Sequence, residues 1–215
     1  MLTIKIYIVD DVLNKYYTKN MLNNKNKGIM LGGRNMNNIK TKDMVVIAMM
    51  TAVTCIIAPF SIALPFTPIP ISLTNLIIYI SCCVLGAKKG TISFLLYFFI
   101  GIVGLPVFSG FSGGLAKAAG PTGGYLIGFI FCAVITGIFV ERFEDKIYMY
   151  PVGMIIGTVV CYTFGTAWLA FEMKLGFVQA LFMGVIPYLL GDALKITAAT
   201  VLGFTLRKRI KIVNS

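Results

Sequence analysis

The sequence predicts an all-α membrane protein of six transmembrane helices with both termini on the inner side of the bilayer. Three observations carry this: an apolar composition, six apolar runs separated by polar or Gly/Pro punctuation, and a one-sided distribution of lysine and arginine. Of the 215 residues, 58% are hydrophobic and 13% charged, and the mean hydropathy is +0.87. A soluble domain of ordinary composition carries roughly 25% charged residues. So little polar material cannot cover a water-facing surface, and the bilayer is the solvent that suits it.

Residues 1–43 stand apart. The stretch from Asn14 to Lys42 is rich in Asn and Lys, holds Gly28, Gly32 and Gly33, and lacks a sustained apolar period. That is the composition of a disordered tail, here on the cytoplasmic side. Met1–Val9 is too short to span and ends at Asp10-Asp11, so it is no signal peptide. Met36, directly before the first apolar run, offers an alternative start, with 1–35 as a mis-called extension.

The membrane domain is expected over 44–211. Its first span is read as Val45–Leu64, stopped by Pro65-Phe66-Thr67-Pro68-Ile69-Pro70. The second is Ile71–Leu85, closed by Gly86 to Gly90, and the third is Thr91–Leu105, ending at Pro106 before a Gly-rich loop. The fourth covers Thr122–Val140, the fifth Tyr150–Ala170 and the sixth Phe177–Leu206. A helix needs about 20 residues to cross the hydrocarbon, so spans two and three are short and must absorb flanking residues or sit in thinner bilayer. Orientation follows from the loops. The inner side collects Lys40, Lys42, Lys88, Lys89, Arg142, Lys146, Arg207, Lys208, Arg209 and Lys211, whereas the outer side holds only Lys117 and Lys174. The same count removes nucleic acid as a partner, because the net charge of +11 is spread over one membrane face rather than gathered in a groove.

Within the spans one acid and one base remain, Asp192 and Lys195. An ionised group in hydrocarbon costs a few kcal/mol or more, so such residues pair and mark a site or pathway. Their i, i+3 spacing puts them on one helix face, near mid-span, just after Pro187 and Gly191. The blander alternative is an ion pair that only fixes helix packing. The second cluster is the outer loop, Phe108-Ser109-Gly110-Phe111-Ser112-Gly113-Gly114 and then Gly120-Pro121-Thr122-Gly123-Gly124-Tyr125. Its glycines let backbone approach a ligand, and the helix it opens could offer N–H groups to an anion, although such loops also serve as plain connectors. The lysine and hydroxyl of a phosphate-binding Walker loop are missing, so ATP hydrolysis is not expected of this chain. The third feature is small residues four apart, Ala48 with Ala52 and Gly153 with Gly157, which suit close helix contact within the chain or with a partner. The five cysteines lie in apolar stretches without CxxC spacing, and there is no histidine, so neither a metal site nor a disulfide framework is expected.

From Leu64-Pro65-Phe66-Thr67-Pro68-Ile69-Pro70-Ile71-Ser72-Leu73, through Gly104-Leu105-Pro106-Val107-Phe108 and Gly120-Pro121-Thr122-Gly123-Gly124-Tyr125-Leu126, to Pro187 and Gly191-Asp192-xx-Lys195, the chain resembles the BioY family. This family comprises the biotin-specific substrate-binding (S) components of energy-coupling factor transporters. The resemblance covers about Met44 to Lys211. It implies an S-component bundle in the cell membrane that captures biotin from outside. Delivery inward would involve a coupling (T) subunit and two ATPase subunits that hydrolyse ATP, by toppling within the bilayer. By the same resemblance, Ala48 and Ala52 meet the coupling subunit, and Asp192 and Lys195 contact the ligand. A polar amide on helix two also contacts it, at Thr74 or Asn75, since the family often has Gln where Thr74 stands.

Biotin's chemistry agrees with this. Asp192 can accept from a ureido N–H, Asn75 can donate and accept, and Phe66, Phe108 and Tyr125 can cover the apolar rings. The carboxylate suits Lys195, Lys117 or the N–H groups near Thr122, Gly123 and Gly124, with Gly114 in the same Gly-rich wall. No cofactor is implied. The competing readings are an S component for another small metabolite, a structural subunit that leaves the ion pair without a ligand, and a membrane enzyme. The enzyme is disfavoured for want of histidine, a second intramembrane carboxylate or a nucleophile constellation.

Overall fold

A computed structural model describes residues 41–214, with side chains through 209. The expected tail and the alternative start at Met36 lie outside the described residues, except that 41–43 already belong to the first helix rather than to a tail. The elements in chain order are helix α1 (Thr41–Ile57), strands β1 (Ser61–Leu64) and β2 (Thr67–Ser72), helix α2 (Thr74–Ile102), a short α3 (Leu115–Ala119), α4 (Gly123–Arg142), α5 (Met149–Glu172), α6 (Phe177–Gly184), a 3-10 turn at Ile186–Tyr188 and α7 (Leu189–Asn214).

Two boundaries correct the sequence reading. The first apolar run does not stay helical to Leu64: α1 stops at Ile57, and 61–64 pair antiparallel with β2, Ser61 opposite Ser72 and Ile62 opposite Ile71. The proline string expected to be bare punctuation is therefore a strand. Pro68 and Pro70 sit at alternate positions, which leaves one edge of a two-stranded ribbon without donors and the other free to pair. The expectation of an all-α chain holds for the bundle but not for this hairpin.

The second correction concerns α2, which carries two limbs, 74–85 and 87–102, divided at Gly86 with φ 79° and ψ −173°. Only glycine takes that conformation without strain. The limbs fold back on one another, because a Cβ at Gly90 would lie 3.1 Å from Cys82 Cα, where a straight helix would separate the two by about 12 Å. Lys88 and Lys89 interrupt the apolar run at the bend, and among the described residues four helices are long and apolar enough to cross a membrane: α2, α4, α5 and the stretch Phe177–Arg209. The last is not one rod. Its helix breaks between Gly184 and Leu189 at the 3-10 turn, where Pro187 removes a backbone donor.

The helices meet at small residues. On α4, Gly128 faces Cys161 of α5, while Gly157 of α5 faces Cys132 of α4, so close that a Cβ on either glycine would come within 2.9–3.2 Å of the opposing cysteine. Cys83 of the first limb likewise opposes Gly203 of α7. Lipid tails are as apolar as leucine, so helices here associate by close van der Waals approach, and a glycine against a compact thiol supplies it. Gly153 and Gly157 both face α4, against Phe139 and Cys132, so this small-residue pair packs inside the chain.

Candidate ligand-binding site

The site is built around Asp192 in the first turn of α7, directly after the broken turn. Its side chain is 9% exposed, so each oxygen must find donors within the protein. Oδ1 accepts from Asn75 Nδ2 at 2.8 Å and from Lys195 Nζ at 3.1 Å, and Oδ2 accepts from the hydroxyl of Tyr162. Three elements, the first limb of α2, α5 and α7, therefore converge on one carboxylate. Roughly four acceptor positions are available on a carboxylate, so one remains. Lys195, with its side chain 12% exposed, uses one donor on Asp192 and keeps others.

Above this centre lies a cavity that, together with the solvent space at its mouth, spans about 770 Å³. Asp192, Lys195, Asn75, Thr74, Thr122, Tyr125 and Phe108 all line it, as does Lys117. Phe108 is held edge-on to Tyr97 with ring centres 5.7 Å apart, and its ring fills the space that a Cβ at Gly101 would need. Its loop is closed by Phe108 N to Ser112 O at 2.9 Å and by Ser112 Oγ to Ser109 O at 2.8 Å, with Gly110 at φ 77°. The β-hairpin forms another wall through Ile69, Pro70 and Ser72. It is fastened to the broken turn by the Tyr188 hydroxyl, which donates to the Ile69 carbonyl. On the other side, Phe60 meets Phe111 edge-on and Gly110 N donates to Pro59 O at 2.9 Å.

Four residues expected at the site lie off the cavity wall. Phe66 sits in the hairpin turn, 57% exposed. Gly114 opens α3 at φ 89°, and a Cβ placed there would have nothing within 4 Å. A Cβ on Gly123 or Gly124 would run into the Ala118 carbonyl or into Trp168. Both glycines permit close packing: they let the start of α4 slide under Trp168, whose Nε1 donates to Gly120 O at 3.0 Å. Ala48 and Ala52 do not line the cavity; both are exposed on α1, whose buried side meets the second limb through Thr51 and Ser93.

The tyrosines were not legible beforehand. Tyr162, Tyr188 and Tyr79 all line the cavity, and Tyr79 shares a 2.6 Å hydrogen bond with Thr158. Inside an apolar span a tyrosine looks like any aromatic. The signal available was the unmet valence of Asp192, which needs more donors than Lys195 alone.

A helical membrane bundle whose mostly apolar cavity closes over one satisfied acid–base centre defines a class: a membrane-embedded small-molecule-binding protein. The family model described as the BioY family matches residues 32–212, and the chain belongs to that family. Similar proteins include the biotin transporter BioY of Rhizobium etli, 37% identical over 174 residues that make up 77% of this chain and 92% of that one. The probable biotin transporter BioY of Pyrococcus horikoshii is 34% identical over 164 residues, 76% of this chain and 95% of the relative. Among solved structures, the S-component for biotin from an ECF-type ABC transporter superposes with a TM-score of 0.74 at 30% identity, covering 80% of this chain and 94% of the other.

Proposed function

We propose that this chain is the biotin-capturing membrane subunit of an energy-coupling factor transporter and serves biotin uptake. The observation that carries the reading is the Asp192 centre, where an acceptor, an amide and an ammonium meet at the floor of an apolar cavity. A ureido ring presents two N–H donors and a carbonyl. Asp192 takes one N–H with its remaining acceptor position, Asn75 Oδ1 lies beside it, and a spare donor of Lys195 meets the carbonyl. Phe108, Tyr125 and Phe129 cover the thiophane and the chain.

Charge balance orients the ligand. Lys195 is already neutralised by Asp192, whereas Lys117 lines the cavity without an ion-pair partner among the described residues. The ligand's carboxylate completes Lys117, so biotin lies with its ring at Asp192 and its chain toward α3.

The membrane arrangement we infer has six spans, N-in and C-in: α1, the two limbs of α2, α4, α5, and α6 with α7 as one broken span. Residues 44–211 then form the membrane domain, set in the plasma membrane, and 1–43 a cytoplasmic segment. The exposed Ala48 and Ala52 face suits the coupling subunit, which with two ATPases would drive delivery. Labelled biotin uptake into a biotin-requiring host, with and without these partners coexpressed, tests the reading. Cells that bind no biotin, or binding that Asp192→Asn leaves untouched, would overturn it.

A further inference from the structure

We propose that Arg207, at the end of α7 remote from the cavity, is a positioning residue for the ligand site, acting through the first limb of α2 as a lever. The inference rests on the biotin-binding reading of the cavity and deepens it.

Asn75, Tyr79 and Cys83 are spaced four apart and therefore share one stripe of the limb. Each is tied to another element at a polar contact. Asn75 donates to Asp192 of α7 at 2.8 Å, the Tyr79 hydroxyl bonds that of Thr158 on α5 at 2.6 Å, and the Cys83 carbonyl accepts from Arg207 Nη1 at 2.8 Å. Tyr79 is fully buried and sits midway, so it is the fulcrum. The two arms are equal, each about 6 Å at 1.5 Å per residue. A rigid limb that swings at Cys83 must swing by a similar distance, in the opposite sense, at Asn75. An error of about 1 Å there exceeds what a hydrogen-bonded binding site tolerates.

The Cys83 end needs this clamp because the limb stops at Gly86. Carbonyls at the end of a helix run short of partners along it, and a cation at that terminus also suits the helix dipole. Arg207 fills both needs with its side chain 14% exposed, and it is held in turn by Glu144, a residue with further interactions of its own. Across the bend, Glu141 accepts from Ala87 N at 3.0 Å, where a carboxylate suits the start of the second limb. Gly203 against Cys83 brings α7 close enough for the contact. Arg207 does not line the cavity, so an effect on ligand reaches it through the limb or along α7 itself, which carries Asp192 and Lys195, and exchange at 74–79 separates the two routes.

The test is a double-mutant cycle on purified full-length chain in lipid nanodiscs, combining Arg207→Gln with Asn75→Ala and reading equilibrium biotin affinity. We expect Arg207→Gln to weaken biotin about tenfold and to add little once Asn75 is alanine, the non-additivity of coupled sites. Arg207→Lys keeps the charge, but one ammonium cannot serve Cys83 and Glu144 as a guanidinium does, and it should fall between the two. It also carries the cycle if the glutamine variant does not fold. In parallel, hydrogen exchange on ligand-free protein should speed up at 74–79 in the Arg207 variants. Effects that multiply independently, or unchanged exchange at 74–79, would overturn the lever. Wild-type protein that binds no biotin would overturn the functional reading instead, and the exchange experiment would still decide the lever.

Discussion

Glycine does opposite work in the two halves of this molecule. Along the α4–α5 seam, Gly128 and Gly157 are regular helical residues that bring two rods together against Cys161 and Cys132. In the loop between α2 and α3, Gly104, Gly110 and Gly114 take positive φ and shape the turns around Phe108. Between them sits the string Gly120 to Tyr125, which reads like loop but behaves like seam: Gly123 and Gly124 are pressed against Ala118 and Trp168, while their neighbours Thr122 and Tyr125 line the cavity. A glycine-rich motif beside a ligand need not touch it. Here it places two side chains that line the cavity.

Four substitutions sharpen or break that contrast. The largest effect is expected at the cavity floor. Asp192→Ala leaves Lys195 uncompensated and three donors unpaired, and losing one partner of a buried pair costs about 3–5 kcal/mol. Biotin binding should fall by at least about a hundredfold in an equilibrium assay. Next is Gly124→Leu, which forces a side chain into Trp168 and should destabilise the ligand-free protein by about 1–3 kcal/mol, read as a lower melting temperature. If that temperature held while binding was lost, Gly124 would be a ligand contact and the contrast would collapse. Third, Lys117→Ala should weaken biotin about tenfold, the scale of one charge-assisted hydrogen bond. The neutral amide of biotin should be unaffected by the same change, and equal losses for both ligands would misplace the carboxylate. The smallest effect is expected at Phe66, exposed in the hairpin turn: Phe66→Ala should change affinity by less than about twofold, as exposed substitutions do.

Much of the fold was legible because a bilayer enforces a coarse pattern. The limits of α4 and α5 fall within two residues of the expected spans, since apolar runs bounded by Glu141-Arg142 and by Glu172 leave little choice. The α1–β1 boundary was not legible. Ile62, Ala63 and Leu64 are as apolar as any helix, and only the pairing of Ile62 with Ile71 and of Leu64 with Thr67 makes them strand. The break before Leu189 was half legible, through Pro187. At the site, Asp192 and Lys195 stood out because charge in hydrocarbon is rare, and Asn75, with Thr74 as its alternative, came only through the family resemblance. Tyr162 and Tyr188 did not stand out, because a phenol carries both an apolar body and a polar tip.

The chain's composition and pattern alone determined that it is a helical bundle suited to a bilayer with one acid–base pair inside it, because hydrocarbon rejects unpaired backbone and unpaired charge. What only the tertiary structure decided is who partners Asp192, which glycines pack against neighbouring elements, and how the two limbs of α2 fold back at Gly86. Those depend on contacts between residues up to 117 positions apart, as from Asn75 to Asp192, and no local pattern encodes which distant side chain arrives.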